Sequence, residues 1–503
     1  MSADIMTAFF AGFSEALAWP SIGYIIAGVV MGLALGIVPG LGGIVGLSLL
    51  LPLTFTLDIG PALAMMIALM AVTTTSDTIP AVLLGVPGTA AAAATVVDGY
   101  PMARKGRAAE ALGAAFFASA LGGIFGALVL AVSIPILRPL VLAFGPPEIF
   151  LLAMLGIASV GTIGGGDPLR GWASGAIGVM LAMVGRDPIH AVPRFSFGQP
   201  IMWDGIPIIA VAYGLFVIPE LITLSRSGAR ISNVALPKNL WAAQMRGVRD
   251  VAANWFLVIR CSAIGTWIGF IPGLGGAVAD WVAYAHGRAT VRDSETFGKG
   301  DVRGVIAPES ANNSCKGGEL IPTLAFGVPG SITMAFVFSA LLIAGIAPGP
   351  AMLRDHLDLS MLMIWSLVIA NIVGTAICFG LTRYLAKLTM VPGFWIVGVM
   401  GPVVMLSTYA FSNVTEHMIM LMVLGLVGCF MRQFGWPRPP MLVGFVLGSI
   451  IESNLVNSVR MFGYEFLFRP ISAVLALILV LVFVNGTIRP IYRNRRRNHP
   501  AKC

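Results

Sequence analysis

Long apolar runs dominate the chain, separated by short polar or glycine-rich interruptions. Residues 22–38, 108–132, 171–184, 361–381 and 471–484 approach or reach the roughly 20 residues that cross a hydrocarbon core as α-helix. The pattern predicts an all-α polytopic membrane protein of about 10–12 transmembrane or re-entrant helices.

Two interruptions fall where a spanning helix should continue. Residues 32–43 read G-L-A-L-G-I-V-P-G-L-G-G, and residues 265–276 read G-T-W-I-G-F-I-P-G-L-G-G. Both fit G-x-x-x-G-x-x-P-G-L-G-G, at an offset of 233 residues (265 − 32). A second pair follows in the same order, I-P-A-V-L-L-G-V-P-G at 79–88 and I-P-T-L-A-F-G-V-P-G at 321–330, offset by 242 (322 − 80). Asp77 and Glu319 precede the two copies at the same distance. Two ordered motifs at nearly one offset predict an internal duplication.

Loop charge orients the two halves. No basic residue lies in 54–60, whereas 286–304 carries Arg288, Arg292, Lys299 and Arg303. Arg170 in the first half corresponds to 407–417, which has no Lys or Arg. Corresponding loops that differ in basic charge predict homologous repeats of inverted topology. The expected organisation is a first transmembrane repeat (1–225), a basic cytoplasmic linker (226–250) and a second repeat (251–468). An extra transmembrane helix (469–488) then returns an Arg-rich cytoplasmic tail (489–503) to the inner side. Segment 254–285 must cross an even number of times, either as two spans or as one re-entrant hairpin.

Each Pro-Gly break ends one helix and starts another, whose first N–H groups and dipole form an anion site without a charged side chain. Candidate substrate-binding residues are therefore Pro39, Gly40, Gly42 and Gly43 with Pro272, Gly273, Gly275 and Gly276. The polar segments ahead of the second motifs add Thr74, Thr75 and Ser76, and Asn312, Asn313 and Ser314. Intramembrane carboxylates and unwound backbone at a break are candidate ion-coupling groups. They are Asp77, Thr78, Pro87, Gly88 and Thr89 in the first half, and Glu309, Glu319, Pro329, Gly330 and Ser331 in the second. Lys316 is placed to pair with Glu319 or with an anionic substrate. Gly32, Gly36, Gly265 and Gly269 read as close helix crossings.

Composition narrows the function classes. Hydrophobic residues make up 57% of the 503 and charged residues 11%, and mean hydropathy is +0.90, which excludes a soluble domain. The net charge of +8 gathers in short connections and at Arg489, Arg493, Arg495, Arg496, Arg497 and Lys502, a positive-inside signal rather than a nucleic-acid surface. The five cysteines are scattered without metal-like pairing, and the histidines lie in loops or at segment ends. The N-terminus has no basic n-region, so no cleaved signal peptide is expected. No Walker motif, nucleophile elbow or dinucleotide fingerprint occurs, so no enzymatic chemistry is expected, and no cofactor beyond a coupling ion.

With both motif pairs in place, the chain resembles the large permease subunit of the tripartite tricarboxylate transporters, from about residue 10 to about residue 488. The resemblance implies a secondary transporter importing carboxylates across a bacterial inner membrane, driven by a Na⁺ or H⁺ gradient. The substrate would be citrate-like, a dicarboxylate or an aromatic carboxylate. It also implies two partners, a small membrane subunit and a periplasmic solute-binding protein. Alternating access around the two breaks fits this reading, by elevator or rocking motion. A carboxylate-selective channel and, further off, an intramembrane enzyme are the competing classes.

Overall fold

The computed structural model describes residues 3–38, 41–163, 168–187, 189–226, 239–272, 275–388 and 393–484. The first half runs α1 (Ala3–Leu17), α2 (Ser21–Ile37), α3 (Gly42–Leu50), α4 (Ile59–Ser76), α5 (Thr78–Leu84), α6 (Ala93–Met102) and α7 (Ala108–Val141). It continues through α8 (Pro146–Ile163), α9 (Pro168–Ala182), α10 (Ile208–Ala212) and α11 (Ile218–Arg226). Two-residue strands β1 (Gly185–Arg186) and β2 (Pro193–Arg194) pair antiparallel after α9. The second half runs α12 (Leu240–Ala253), α13 (Trp255–Phe270), α14 (Gly275–Thr290), α15 (Arg303–Ile321), α16 (Ile332–Ile343) and α17 (Pro350–Arg354). It ends with α18 (Leu357–Leu388), α19 (Gly393–Ser412), α20 (Glu416–Gln433), α21 (Pro439–Phe462) and α22 (Pro470–Phe483).

Among the described residues, five helical stretches are long and apolar enough to cross a membrane, Ala90–Val141 and Leu357–Leu388 among them. Two further pairs pass the same test but are bent, α1–α2 by 68° and α12–α13 by 77°. Shorter apolar helices such as Gly42–Thr54 and Ile332–Ile343 stand beside them. The chain is thus the all-α polytopic membrane protein that its apolar runs predict, with full spans and half-length helices side by side. Residues 240–250, expected as linker, form most of α12, and 485–503 lie outside the described residues.

Two helices form the centre. Every residue of α4 from Gly60 to Ser76 is buried, as is every residue of α15 from Gly304 to Ile321. The first is apolar until its last turn. The second carries Glu309, Ser310, Asn312, Asn313, Ser314, Lys316 and Glu319, which only a protein-lined interior tolerates at this depth.

Glycines bring the neighbouring helices into contact with this pair. A Cβ at Gly32 or Gly36 of α2 would lie 2.6 Å from the Leu69 or Thr73 carbonyl oxygen of α4. On α13, a Cβ at Gly265 or Gly269 would lie 2.3 Å from Ala311 O or 2.4 Å from Cys315 O of α15. No side chain fits at such distances, so the two G-x-x-x-G strings are backbone-to-backbone crossings.

Candidate functional site

The site is built from two backbone events in each half. At the first, α2 ends on extended Val38 (φ −84°, ψ 112°) and α13 on extended Ile271 (φ −86°, ψ 110°). The following helices restart at Gly42 (φ +54°) and Gly275 (φ +63°), a left-handed conformation that glycine adopts without a Cβ clash. Pro272 lies in the turn, while Pro39, Gly40 and Gly273 fall outside the described residues.

Each restarted helix is seated against the opposite half. A Cβ added at Gly43 would stand 3.7 Å from Thr333 Cγ2, and one at Gly276 would stand 3.3 Å from Ala91 Cβ. Thr333 and Ala91 are themselves 242 residues apart (333 − 91), the offset of the second motif pair.

At the second event, Gly85 and Gly327 both turn the chain with φ +67°. The G-V-P-G strings then fold back over the preceding acid. A Cβ at Gly88 would lie 2.6 Å from Gly36 O and 2.7 Å from Asp77 Cα, and one at Gly330 would lie 2.4 Å from Glu319 O. Pro87 is half-buried and Pro329 buried, and each precedes its glycine in the fold-back. The residue after each glycine reaches the acid. Thr89 Oγ1 donates to Asp77 Oδ2 at 2.5 Å, and Ser331 Oγ donates to Glu319 Oε2 at 2.7 Å. Lys316 Nζ adds two contacts of 3.3 Å to the Glu319 carboxylate.

Polar side chains also join the halves directly. Thr78 and Thr95 donate to Glu309 Oε1 at 2.7 and 2.6 Å. Asn313 Nδ2 donates to Thr75 Oγ1 (3.3 Å), Ser119 Oγ (3.2 Å) and Asn371 Oδ1 (2.5 Å), and Asn312 Nδ2 reaches Thr74 O at 3.4 Å. Other candidate hydroxyls turn away from this network. Thr74 Oγ1 bonds Ala71 O within α4, while Ser76 Oγ bonds Gly32 O and Ser314 Oγ bonds Ser262 O, which tie α4 to α2 and α15 to α13.

The structure adds residues that the motifs did not single out. Ser119 and Asn371 complete the Asn313 network, and Thr95 completes that of Glu309. Asp98 accepts from the Tyr284 hydroxyl and from the N–H groups of Gly298, Gly300 and Asp301, clasping α6 to the loop before α15. Asp280 on α14 is buried with no hydrogen-bond partner for either oxygen. Helix spacing was its available signal, since it follows Gly276 by one turn.

Glu220 and Glu452, at late helix positions of each half, are tied to Arg432 (2.9 Å) and to Arg194 (2.6 and 2.9 Å) away from this centre. Among the described residues, no three His, Cys, Asp or Glu side chains converge as a group that could hold a metal ion.

A buried polar centre made of paired helix breaks and carboxylates, inside a many-helix membrane protein, is an arrangement that membrane transporters build. Residues 22–443 match the tripartite tricarboxylate transporter TctA family, and the chain belongs to that family. It is a family of transporters and not of enzymes, each acting as one component of a tripartite system.

An Agrobacterium vitis protein described as an uncharacterized 52.8 kDa protein in the TAR-I ttuC′ 3′ region is 30% identical over 497 residues, covering 98% of both chains. A second A. vitis protein, described as an uncharacterized protein in the TAR-II ttuC′ 3′ region, is 29% identical over 235 residues. That alignment covers 46% of this chain and 97% of the relative. No solved structure matches the chain.

Proposed function

We propose that this chain is the large permease subunit of a binding-protein-dependent secondary transporter that imports small carboxylates across a bacterial inner membrane. A small membrane subunit and a periplasmic solute-binding protein complete the system, and a Na⁺ or H⁺ gradient drives it. The two halves are inverted repeats, with the linker and the C-terminal tail cytoplasmic. Supporting this are the contrasting charges of corresponding loops and the same backbone events at offsets of 233 and 242 residues.

One observation carries the mechanism: the N-terminus of α3 is seated on Thr333 of the second half, and that of α14 on Ala91 of the first. A carboxylate placed between the halves meets the first N–H groups and positive dipole end of α3 or α14. Asn312 and Asn313 stand on the facing helix, and Lys316 Nζ lies 4.0 Å from the Cβ position of Gly276. A site shared by two halves opens to one side or the other when one half moves against its partner.

The test is substitution at Gly43 and Gly276, the second residues of the restarted helices, which face the opposite half. Gly43→Ala should retain uptake, because its Cβ meets only ordinary contacts of 3.7 to 3.9 Å. Gly43→Leu and Gly276→Leu should insert normally and lose uptake, because the side chain fills the substrate position. Full uptake in both leucine variants would remove the anion-site reading.

A further inference from the structure

Asp280 is a buried acid that this transport scheme leaves without a task and, unlike Asp98, without a hydrogen-bond partner. It follows Gly276 by four residues on α14, so the two share a helix face. That face lies on α15, where a Cβ at Gly276 would stand 3.1 Å from Asn312 Oδ1. Asp280 is 1% exposed, and neither carboxylate oxygen has a hydrogen-bond partner. Asp77 Oδ1, Glu309 Oε2 and Asn312 Oδ1 are likewise buried without a donor. Every one of these atoms is an acceptor that no donor among the described residues reaches.

The surrounding charges sharpen the imbalance. Glu309 and Lys316 of α15 act electrostatically on Asp280, as does Asp77 at the junction of α4 and α5. Lys316 is already engaged by Glu319. On α6, Asp98 is occupied by Tyr284 and three backbone N–H groups. The charged residue of α13, Arg260, acts instead on Cys261 and His286. The turn at 90–92 has no charge, and Glu295 in the turn at 294–296 is exposed. A buried carboxylate beside two other carboxyl groups and one engaged ammonium has no compensating partner of its own, and taking up a proton removes its charge.

We infer that Asp280 is a proton-carrying carboxyl group of the transport cycle, protonated in the conformation described and deprotonated when the cycle opens it to water. The O–H bond forms on an Asp280 oxygen with a proton taken from water on one side of the membrane. It breaks to water on the other side and regenerates the carboxylate. While protonated, Asp280 adds no further negative charge beside Asp77 and Glu309. This inference rests on the transporter reading above and assigns H⁺ as the coupling ion.

Two measurements test it. The first is an infrared difference spectrum of the full chain in lipid nanodiscs at neutral pH, wild type minus Asp280→Asn. It should show a protonated carboxyl C=O band that the variant lacks; an ionised carboxylate band in its place overturns the inference. The second uses proteoliposomes containing the permease, its small subunit, the binding protein and labelled citrate as probe. Asp280→Asn should keep citrate counterflow, which moves no net proton and shows that the variant is folded. It should lose accumulation driven by an inward H⁺ gradient, down to equilibration. Accumulation equal to wild type, or wild-type accumulation driven by Na⁺ without acidification of the lumen, overturns the inference. Failure of the wild type to move citrate counts against the transport reading alone, because the spectrum still decides the protonation state of Asp280.

Discussion

Thr89 donates its hydroxyl hydrogen to Asp77 across the fold-back of a G-V-P-G turn, at 2.5 Å between Oγ1 and Oδ2. Twelve residues separate the two, as twelve separate Glu319 from Ser331, which make the matching 2.7 Å contact in the other half. The turn glycines allow the approach, because Gly88 and Gly330 lie against the backbone of the acids themselves. In each half, an intramembrane acid is thereby locked to the far side of its own helix break.

Thr89→Val removes the hydroxyl that donates to Asp77 and leaves a second buried oxygen of that carboxyl unsatisfied. The loss should be about 1–3 kcal/mol, read as a lower melting temperature of the detergent-solubilised protein. Ser331→Ala should weaken the fold differently. Glu319 keeps Lys316, but α16 loses its N-cap, the 3.3 Å bond from Met334 N–H to Ser331 Oγ, at about 0.5–2 kcal/mol.

Lys316 and Glu319 form a buried ion pair, their side chains 8% and 0% exposed. Removing one partner strands the other charge, so Lys316→Met should destabilise by about 3–5 kcal/mol. Glu319→Gln on the same background should recover much of that loss. Strict additivity in a double-mutant cycle would show that the two charges do not interact.

Gly330→Ala should destabilise by at least about 1–3 kcal/mol, because its Cβ would fall 2.4 Å from Glu319 O and 2.8 Å from Glu319 Cα. Gly398→Ala on α19 is the control, since a Cβ there meets nothing within 4 Å. It should be neutral or stabilising by up to about 1 kcal/mol through helix propensity. Equal melting temperatures for the two variants would mean that the fold-back is looser than described.

The loop before α15 should respond to acid. Burial pushes the Asp301 carboxyl up, but hydrogen bonds from Arg303 and Thr296 outweigh it and hold the group below its usual range. A carboxyl depressed in the folded state stabilises above its unfolded value, about 3.9, and that stability is lost as pH falls through the folded value. Protease cleavage within 291–302 should therefore rise in acid. Asp98→Asn should raise it already at neutral pH, because that carboxylate accepts three of the loop's N–H groups.

The breaks were legible in the sequence because proline and glycine carry their meaning locally. Gly42, Gly85, Gly275 and Gly327 all adopt the positive φ that such strings require. Asp77 and Glu319 were legible as acids set before a break. The central position of α15 was not, because hydropathy ranks so polar a segment below the spanning helices that surround it. Asn371 and Ser119 were also out of reach, since they meet Asn313 only after α7, α15 and α18 pack. Asp280 was hidden in a helix with Arg288 and His286, where an acid reads as solvated.

The central claim is gradient-driven carboxylate import through a site between the two halves. It is tested most directly by uptake of a labelled carboxylate panel, citrate first, into proteoliposomes holding the permease and its small subunit. Purified binding protein and inward H⁺ or Na⁺ gradients are added separately and together. The account predicts accumulation above equilibrium only when binding protein and an ion gradient are both present. Equilibration that needs neither would mark a channel-like pore and contradict it.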